Sequence, residues 1–170
     1  MKKIIVIGCP GSGKSTFSRE LHNILGVPLY HLDMLFWNED KTNVGREVLI
    51  ERLIEVFKKD CWIIDGNYGS TMELRIEKCD TIVFLDYPVE VCIEGVKNRQ
   101  GKHRSDMPWV ATEDDDKDFI EFIKNYNQES RPKVIKLLEK YFYKNIFVLK
   151  CRTQADEFLL QLKRTTKNIK

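Results

Sequence analysis

The octapeptide Gly8-Cys9-Pro10-Gly11-Ser12-Gly13-Lys14-Ser15 constrains this chain more than any other feature. It fits the pattern G-x-x-x-x-G-K-[ST], and a chance match in a chain of this size has a probability of roughly half a per cent. Its surroundings sharpen the reading. The β-branched run Ile4–Ile7 precedes it, and Lys14–Leu25 follows with Phe17, Leu21 and Leu25 at helical spacing before Gly26. A glycine-rich turn between a strand and a helix curls its backbone so that successive N–H groups face inward, where the helix N-terminus adds partial positive charge. That is a cradle for phosphate oxygens. Gly8, Pro10, Gly11, Ser12, Gly13, Lys14, Ser15 and Thr16 are its candidate nucleotide-binding residues. In such a loop the lysine reaches the β- and γ-phosphates, the Ser15 hydroxyl ligates Mg²⁺, and Thr16 lies near the α-phosphate. ATP and Mg²⁺ are the expected cofactors.

The rest of the chain alternates in the same rhythm. Val27–Leu32, Cys61–Ile64, Thr81–Leu85 and Asn145–Leu149 read as further buried strands. Arg46–Lys58, Val89–Asn98, Phe119–Tyr126, Pro132–Phe142 and Ala155–Leu162 read as helices, with Ser130 as N-cap of the fourth and the tail from Lys163 frayed. Alternating strands and helices with continuously apolar strands predict an α/β, three-layer P-loop NTPase: a five-stranded parallel sheet with helices on both faces. At 170 residues this is one domain, 1–170. Gly101–Asp118 breaks the rhythm with charge and turn residues, as functional loops do.

Composition removes several classes. A net charge of +2 argues against a strongly basic nucleic-acid coat. No stretch approaches the roughly 18 apolar residues of a membrane helix. Val6-Ile7-Gly8-Cys9 has the look of a lipoprotein cleavage box, but its apolar run is too short for a signal, so a cytoplasmic protein is expected. Five cysteines without a C-x-x-C pair fit neither a disulfide framework nor a zinc site. No N-K-x-D guanine-reading motif is present. A short single domain with a charged insertion points to kinases of small molecules or nucleotides rather than to GTPases or motors.

Four further motifs carry a family resemblance. They are Tyr30-His31-Leu32-Asp33 with Phe36-Trp37, then Trp62-Ile63-Ile64-Asp65-Gly66-Asn67-Tyr68, then Phe84-Leu85-Asp86-Tyr87-Pro88, then Arg99 before Arg104-Ser105-Asp106-Met107. With the phosphate loop, they resemble the adenylate-kinase-related proteins named "DNA topology modulation protein" (FlaR-like), over nearly the whole chain. The resemblance implies the nucleoside-monophosphate-kinase fold, strand order 2-3-1-4-5, and a lid insertion, here about 99–131. It gives Asp65 to Mg²⁺ beside Ser15. It sets Asp33 toward the acceptor, either taking the proton of an attacking hydroxyl or orienting the acceptor. It matches Arg99, Arg104 and Arg131 to lid arginines that neutralise the transferring phosphoryl group. Asp86 reads as a cap or turn residue, and Glu113–Asp116 as a helix start. Phe36, Trp37 and Tyr68 suit either core packing or stacking on an acceptor.

One departure matters. In adenylate kinase the run after the third strand supplies an arginine to a monophosphate acceptor. Here Asp65-Gly66 is followed by Asn67-Tyr68-Gly69, and Arg75 is the candidate replacement. Two functions follow: an Mg²⁺-dependent kinase passing the γ-phosphate of ATP to a small acceptor, as monomer or dimer, or a nucleotide-dependent regulator influencing DNA topology through DNA or a protein partner. The second draws on the family name and on Lys163, Arg164, Lys167 and Lys170.

Overall fold

The computed structural model describes the chain except residues 100, 103, 111–112 and 168–170, and except the side chains of 113–118 and 167. Lys170 of the sequence analysis lies outside the described residues, as do the acidic side chains of Glu113–Asp116. Five parallel strands form one sheet: β1 (Lys3–Gly8), β2 (Leu29–His31), β3 (Trp62–Asp65), β4 (Thr81–Leu85) and β5 (Asn145–Leu149). Their order is β2-β3-β1-β4-β5, as the resemblance implies. Eight helices complete the described chain: α1 (Lys14–Leu25), α2 (Leu32–Phe36), α3 (Gly45–Phe57), α4 (Gly69–Lys78), α5 (Val89–Lys97), α6 (Glu113–Glu129), α7 (Arg131–Lys140) and α8 (Arg152–Lys167).

The central strand is apolar on both faces because helices cover both. Successive side chains of a strand point to opposite faces. Thus Ile4 and Val6 of β1 pack with Phe17, Leu21, Val83 and Leu85 in one core. Ile5 and Ile7 pack with Leu53, Trp62, Ile76 and Phe84 in the other. Three sequence expectations shift. The predicted second strand ends at His31, and Leu32 starts α2 instead. Ser130 makes no side-chain cap bond, since its backbone is already helical where α6 gives way to α7. The tail from Lys163 continues α8 to Lys167 rather than fraying.

The carboxyl ends of β1, β2 and β3 meet at one edge, so the residues just after them share one crevice, as open α/β sheets require. The phosphate loop leaves β1 there and packs on α5 backbone to backbone. A Cβ on Gly11 would lie 2.0 Å from the Cys92 carbonyl oxygen, and one on Gly95 would lie 2.1 Å from the Gly11 carbonyl oxygen. Gly95 therefore sets the seat of the loop. Gly95→Ala forces the loop or α5 to move and is expected to cost about 2 kcal/mol, as overpacking does. A urea midpoint unchanged from that of the unsubstituted protein would refute this packing.

Candidate active site

The crevice holds a cavity of about 980 Å³. The phosphate loop forms one wall with Pro10, Gly11, Gly13, Lys14, Ser15 and Thr16, and Gly8 and Ser12 lie behind this lining. Lys14 Nζ donates to the carbonyls of Gly8 and Cys9, both at 3.0 Å. Burial lowers the Lys14 pKa against the opposing pull of Asp65 and Asp33. A phosphate that displaces the two carbonyls would therefore meet a partly desolvated cation, where charge acts strongly.

Asp33 and Asp65 line the same cavity. Asp33 lies on α2 and accepts a hydrogen bond from the Tyr68 hydroxyl at 2.8 Å. Burial raises its pKa above the ordinary carboxylate value, although Tyr68 and Lys14 pull it down. Asp65 ends β3 almost fully buried, 3% exposed. Both its oxygens lie 2.9 Å from His31 Nδ1. Burial by itself would lower the His31 pKa, but the bond to Asp65 and its charge outweigh that and raise it.

The turn after β3 has a backbone that few residues adopt. Gly66 has φ 126°, and a Cβ there would lie 2.8 Å from Leu32 Cβ. Tyr68 has φ 28°, rare for a residue with a side chain. Arg75, fully buried on α4, holds this turn: its guanidinium donates to the carbonyls of Gly66 at 2.9 Å, Asn67 at 2.5 Å and Tyr68 at 3.1 Å, and its Nε to Thr71 at 3.3 Å. Burial pushes its pKa down, and the four carbonyls oppose the loss of charge. The turn in turn offers Asn67 Oδ1 to the Gly8 N–H at 3.0 Å and Tyr68 to Asp33. Arg75 thus serves the backbone beneath the cavity and is not among the cavity's lining residues.

The segment between α5 and α6 closes the far wall with Arg99, Arg104, Ser105, Asp106, Met107 and Trp109. The Arg104 guanidinium donates to both oxygens of Asp106, at 3.2 and 2.5 Å. Burial raises the Asp106 pKa, but the Arg104 bonds and charge outweigh it and hold the carboxyl well below the usual range. Arg99 Cζ lies 5.9 Å from the ring centre of Phe119. Trp37, Tyr68 and Trp109 line the cavity with Asp33; Phe36, packed behind them, meets Trp37 and Tyr68 edge-on at 5.2 and 4.8 Å, and Trp37 meets Trp109 at 6.1 Å.

The structure therefore gathers Lys14, Ser15, Thr16, Asp33, Asp65, Arg99 and Arg104 around one cavity. Arg131 is elsewhere. Its guanidinium is bidentate on Asp86, at 2.7 and 2.8 Å, beside Lys150. Asp86 is accordingly an ion-pair centre rather than a cap, and the separation of these three residues in sequence hides it. His31, Asn67, Trp109 and Asp106 escaped the sequence reading as site residues. Their partners lie 34 or more residues away for His31 and Asn67, a distance no local pattern spans.

The donor chemistry fits Mg²⁺. The Ser15 hydroxyl and two carboxylates are hard oxygens, and Mg²⁺ is normally held by one or two protein groups plus phosphates and water. Among the described residues no cluster of three or more acidic, histidine or cysteine side chains forms a closed cage.

Known proteins point the same way. No family model matches the chain. A shikimate kinase from Clostridium botulinum (strain Langeland / NCTC 10281 / Type F) is 25% identical over 185 aligned positions, covering 100% of this chain and 99% of that protein. The crystal structure of shikimate kinase from Bacteroides thetaiotaomicron matches with a TM-score of 0.57 and 19% identity, over 96% of this chain and 97% of that one. Shikimate kinase from Acinetobacter baumannii in complex with shikimate matches with a TM-score of 0.60 and 16% identity, over 100% and 95%. The two structures share the P-loop α/β fold. Fold, phosphate loop and relative together define an ATP-dependent P-loop kinase that works with Mg²⁺. Among the described residues, no helix is long and apolar enough to cross a membrane.

Replacing Arg75 by Met leaves the Gly66, Asn67 and Tyr68 carbonyls buried without donors. The expected loss is about 3 kcal/mol in a denaturation curve. An equally stable Arg75→Met protein would show that the turn holds itself.

Proposed function

We propose that this protein transfers the γ-phosphoryl group of ATP to a hydroxyl of a small ring-bearing acceptor, with Asp33 as the group that takes the hydroxyl proton. One observation carries the reading: a buried carboxylate with a raised pKa shares the cavity with the phosphate-loop lysine. A base of raised pKa is the better proton acceptor in phosphoryl transfer. The acceptor oxygen attacks the γ-phosphorus, its proton passes to Asp33, and ADP leaves. Mg²⁺, held at Ser15 with Asp65 nearby, would neutralise phosphate charge. Lys14, Arg99 and Arg104 balance charge on the transferring group, and the segment from Arg99 into α6 acts as a lid that excludes water.

The choice of a hydroxyl over a phosphate rests on Arg75. An acceptor phosphate needs a fixed cation near the Asp65-Gly66 turn, and Arg75 is committed to backbone carbonyls beneath it. Trp37, Tyr68 and Trp109 offer a ring-sized acceptor flat contact surface. Shikimate, named in the relatives, is the first cyclic alcohol to try, followed by nucleosides and sugars.

A coupled assay of ADP release from Mg·ATP tests this against shikimate, nucleosides, sugars, AMP, the other monophosphates and no acceptor. Acceleration by a hydroxyl compound without phosphate is expected. Acceleration by a monophosphate alone would refute the hydroxyl reading, and slow acceptor-independent hydrolysis throughout would leave ATP as a switch, as a regulator of DNA topology would use it. Lys14→Ala should abolish turnover with the fold intact. Asp33→Asn should cut the rate at least about 100-fold.

The sign of the pH dependence also follows. Activity should fall on acidification through a pH above the ordinary aspartate pKa, because Asp33 must be ionised to take the proton. Tyr68→Phe removes a bond that favours the ionised form. It should move this acidic limb to higher pH, and an unmoved limb would separate Asp33 from proton transfer.

A further inference from the structure

The rings that line the cavity with Asp33 are held in two different ways. Tyr68, and Phe36 behind it, pack against the core on the Ile5 and Ile7 face of the sheet, and the Tyr68 hydroxyl is bonded to Asp33. The Trp37 N–H donates to the Asp33 carbonyl at 3.0 Å, and Trp37 bridges antiparallel to Asn43. Trp109 comes instead from the segment between α5 and α6, in neither helix nor strand. Its ring meets Trp37 edge-on at 6.1 Å and 88°. The Lys41 ammonium lies over it, 4.9 Å from the ring centre. Lys41 has φ 65°, uncommon for a residue with a side chain, in a turn closed by the Asn38 N–H on the Thr42 carbonyl at 2.9 Å. The Trp109 indole N–H is buried and, among the described residues, has no hydrogen-bond partner. A buried indole usually finds one, and leaving the donor unpaired costs free energy that the ring contacts must offset.

We infer that Trp109 is a specificity-determining residue: the yielding wall that sets how large an acceptor ring fits beside Asp33, and that favours single-ring alcohols over nucleosides. This deepens the proposed transfer to a ring-bearing hydroxyl and rests on that reading. The attacking hydroxyl must stand within hydrogen-bond reach of Asp33, which pins one edge of the acceptor against the fixed rings. Added bulk therefore presses on the opposite wall. Moving Trp109 breaks no hydrogen bond of its indole, so that wall gives way before Trp37 or Tyr68 does, at the expense of its contacts with Trp37 and Lys41. Room is short as well. The cavity of about 980 Å³ is one that a single drug-sized ligand can occupy, and here it must take the nucleotide and the acceptor together. With Trp109 against Trp37, a single ring fits at least cost.

The readout is a selectivity ratio: kcat/KM for nucleosides over kcat/KM for shikimate and monosaccharides, each measured at saturating Mg·ATP. The unsubstituted protein should prefer the single-ring alcohols. In Trp109→Ala the ratio should rise about 10-fold or more toward the nucleosides, the scale on which pocket contacts discriminate, with KM for ATP unmoved. Trp109→Phe keeps a ring and should show less of the rise. Lys41→Met removes the cation from the ring face and should show part of it. A segment that is merely loosened lowers every rate alike and leaves the ratio unchanged, and circular dichroism melts establish that each variant is folded. If Trp109→Ala loses all turnover, the ratios in Trp109→Phe and Lys41→Met decide. A ratio equal to that of the unsubstituted protein would overturn the inference, as would an unsubstituted protein that prefers nucleosides. An unsubstituted protein that phosphorylates no hydroxyl compound at all would overturn the proposed transfer itself, and the inference with it.

Discussion

A single buried cation organises the turn after β3, beneath the cavity. Among the described residues, no carboxylate is bonded to Arg75. It is solvated instead by four backbone carbonyls, three of them from the turn after β3. That turn contains two positive-φ residues, Gly66 and Tyr68, whose conformation a free chain would rarely adopt. The guanidinium suits the task because its planar fork satisfies several diverging acceptors at once, which an ammonium group on a flexible stem does less well. Once the turn is held, Asn67 reaches the phosphate loop at Gly8 and Tyr68 reaches Asp33. One structural arginine thereby aligns the phosphate-loop wall of the crevice with the Asp33 wall.

The nucleotide half depends on closeness rather than charge. Gly11 and Gly95 let the loop and α5 touch through their backbones, so the loop is seated on a rigid helix and its N–H groups need little rearrangement to meet phosphate. The opposing wall is held differently. Arg104, Arg19 and Asp106 form an ion-pair group between the charged segment and α1, and such contacts can break and re-form without cavity costs. A fixed floor and an ionically fastened wall are what a kinase needs, since the site must open to exchange nucleotide and close to exclude water.

How much of this was legible depended on where each residue's partners lie. The phosphate loop was readable because its chemistry is contiguous: strand, glycines, lysine and serine follow one another in eight residues. The strands were readable from their apolar runs. Helix α4 was not. Its buried face carries Thr71 and Arg75 beside Met72 and Ile76, and two polar residues on the inner face break the apolar period on which such readings rest. The apolar run predicts a second strand over Val27–Leu32, but the strand spans only Leu29–His31, and Leu32 is buried in either conformation. Leu32 instead opens α2 and packs closely against Gly66, 34 residues distant. Arg131 pairs with Asp86 outside the cavity, and no local pattern shows that pairing because Asp86 lies in another motif.

The sequence by itself determined a parallel α/β sheet with a phosphate-binding loop at the end of its first strand, because short-range periodicity and one contiguous motif encode both. It also brought Asp65 to the end of β3, where a crevice must form, whereas Asp33 falls on α2 just beyond β2. Tertiary structure alone decided which charges face that crevice. Arg75 turned inward to the backbone, Arg131 turned to Asp86, and Asp106 turned to the phosphate-loop wall. A charged side chain takes the site that best compensates its loss of water. That site is made by residues far away in the chain, so its position is settled only when the chain has folded.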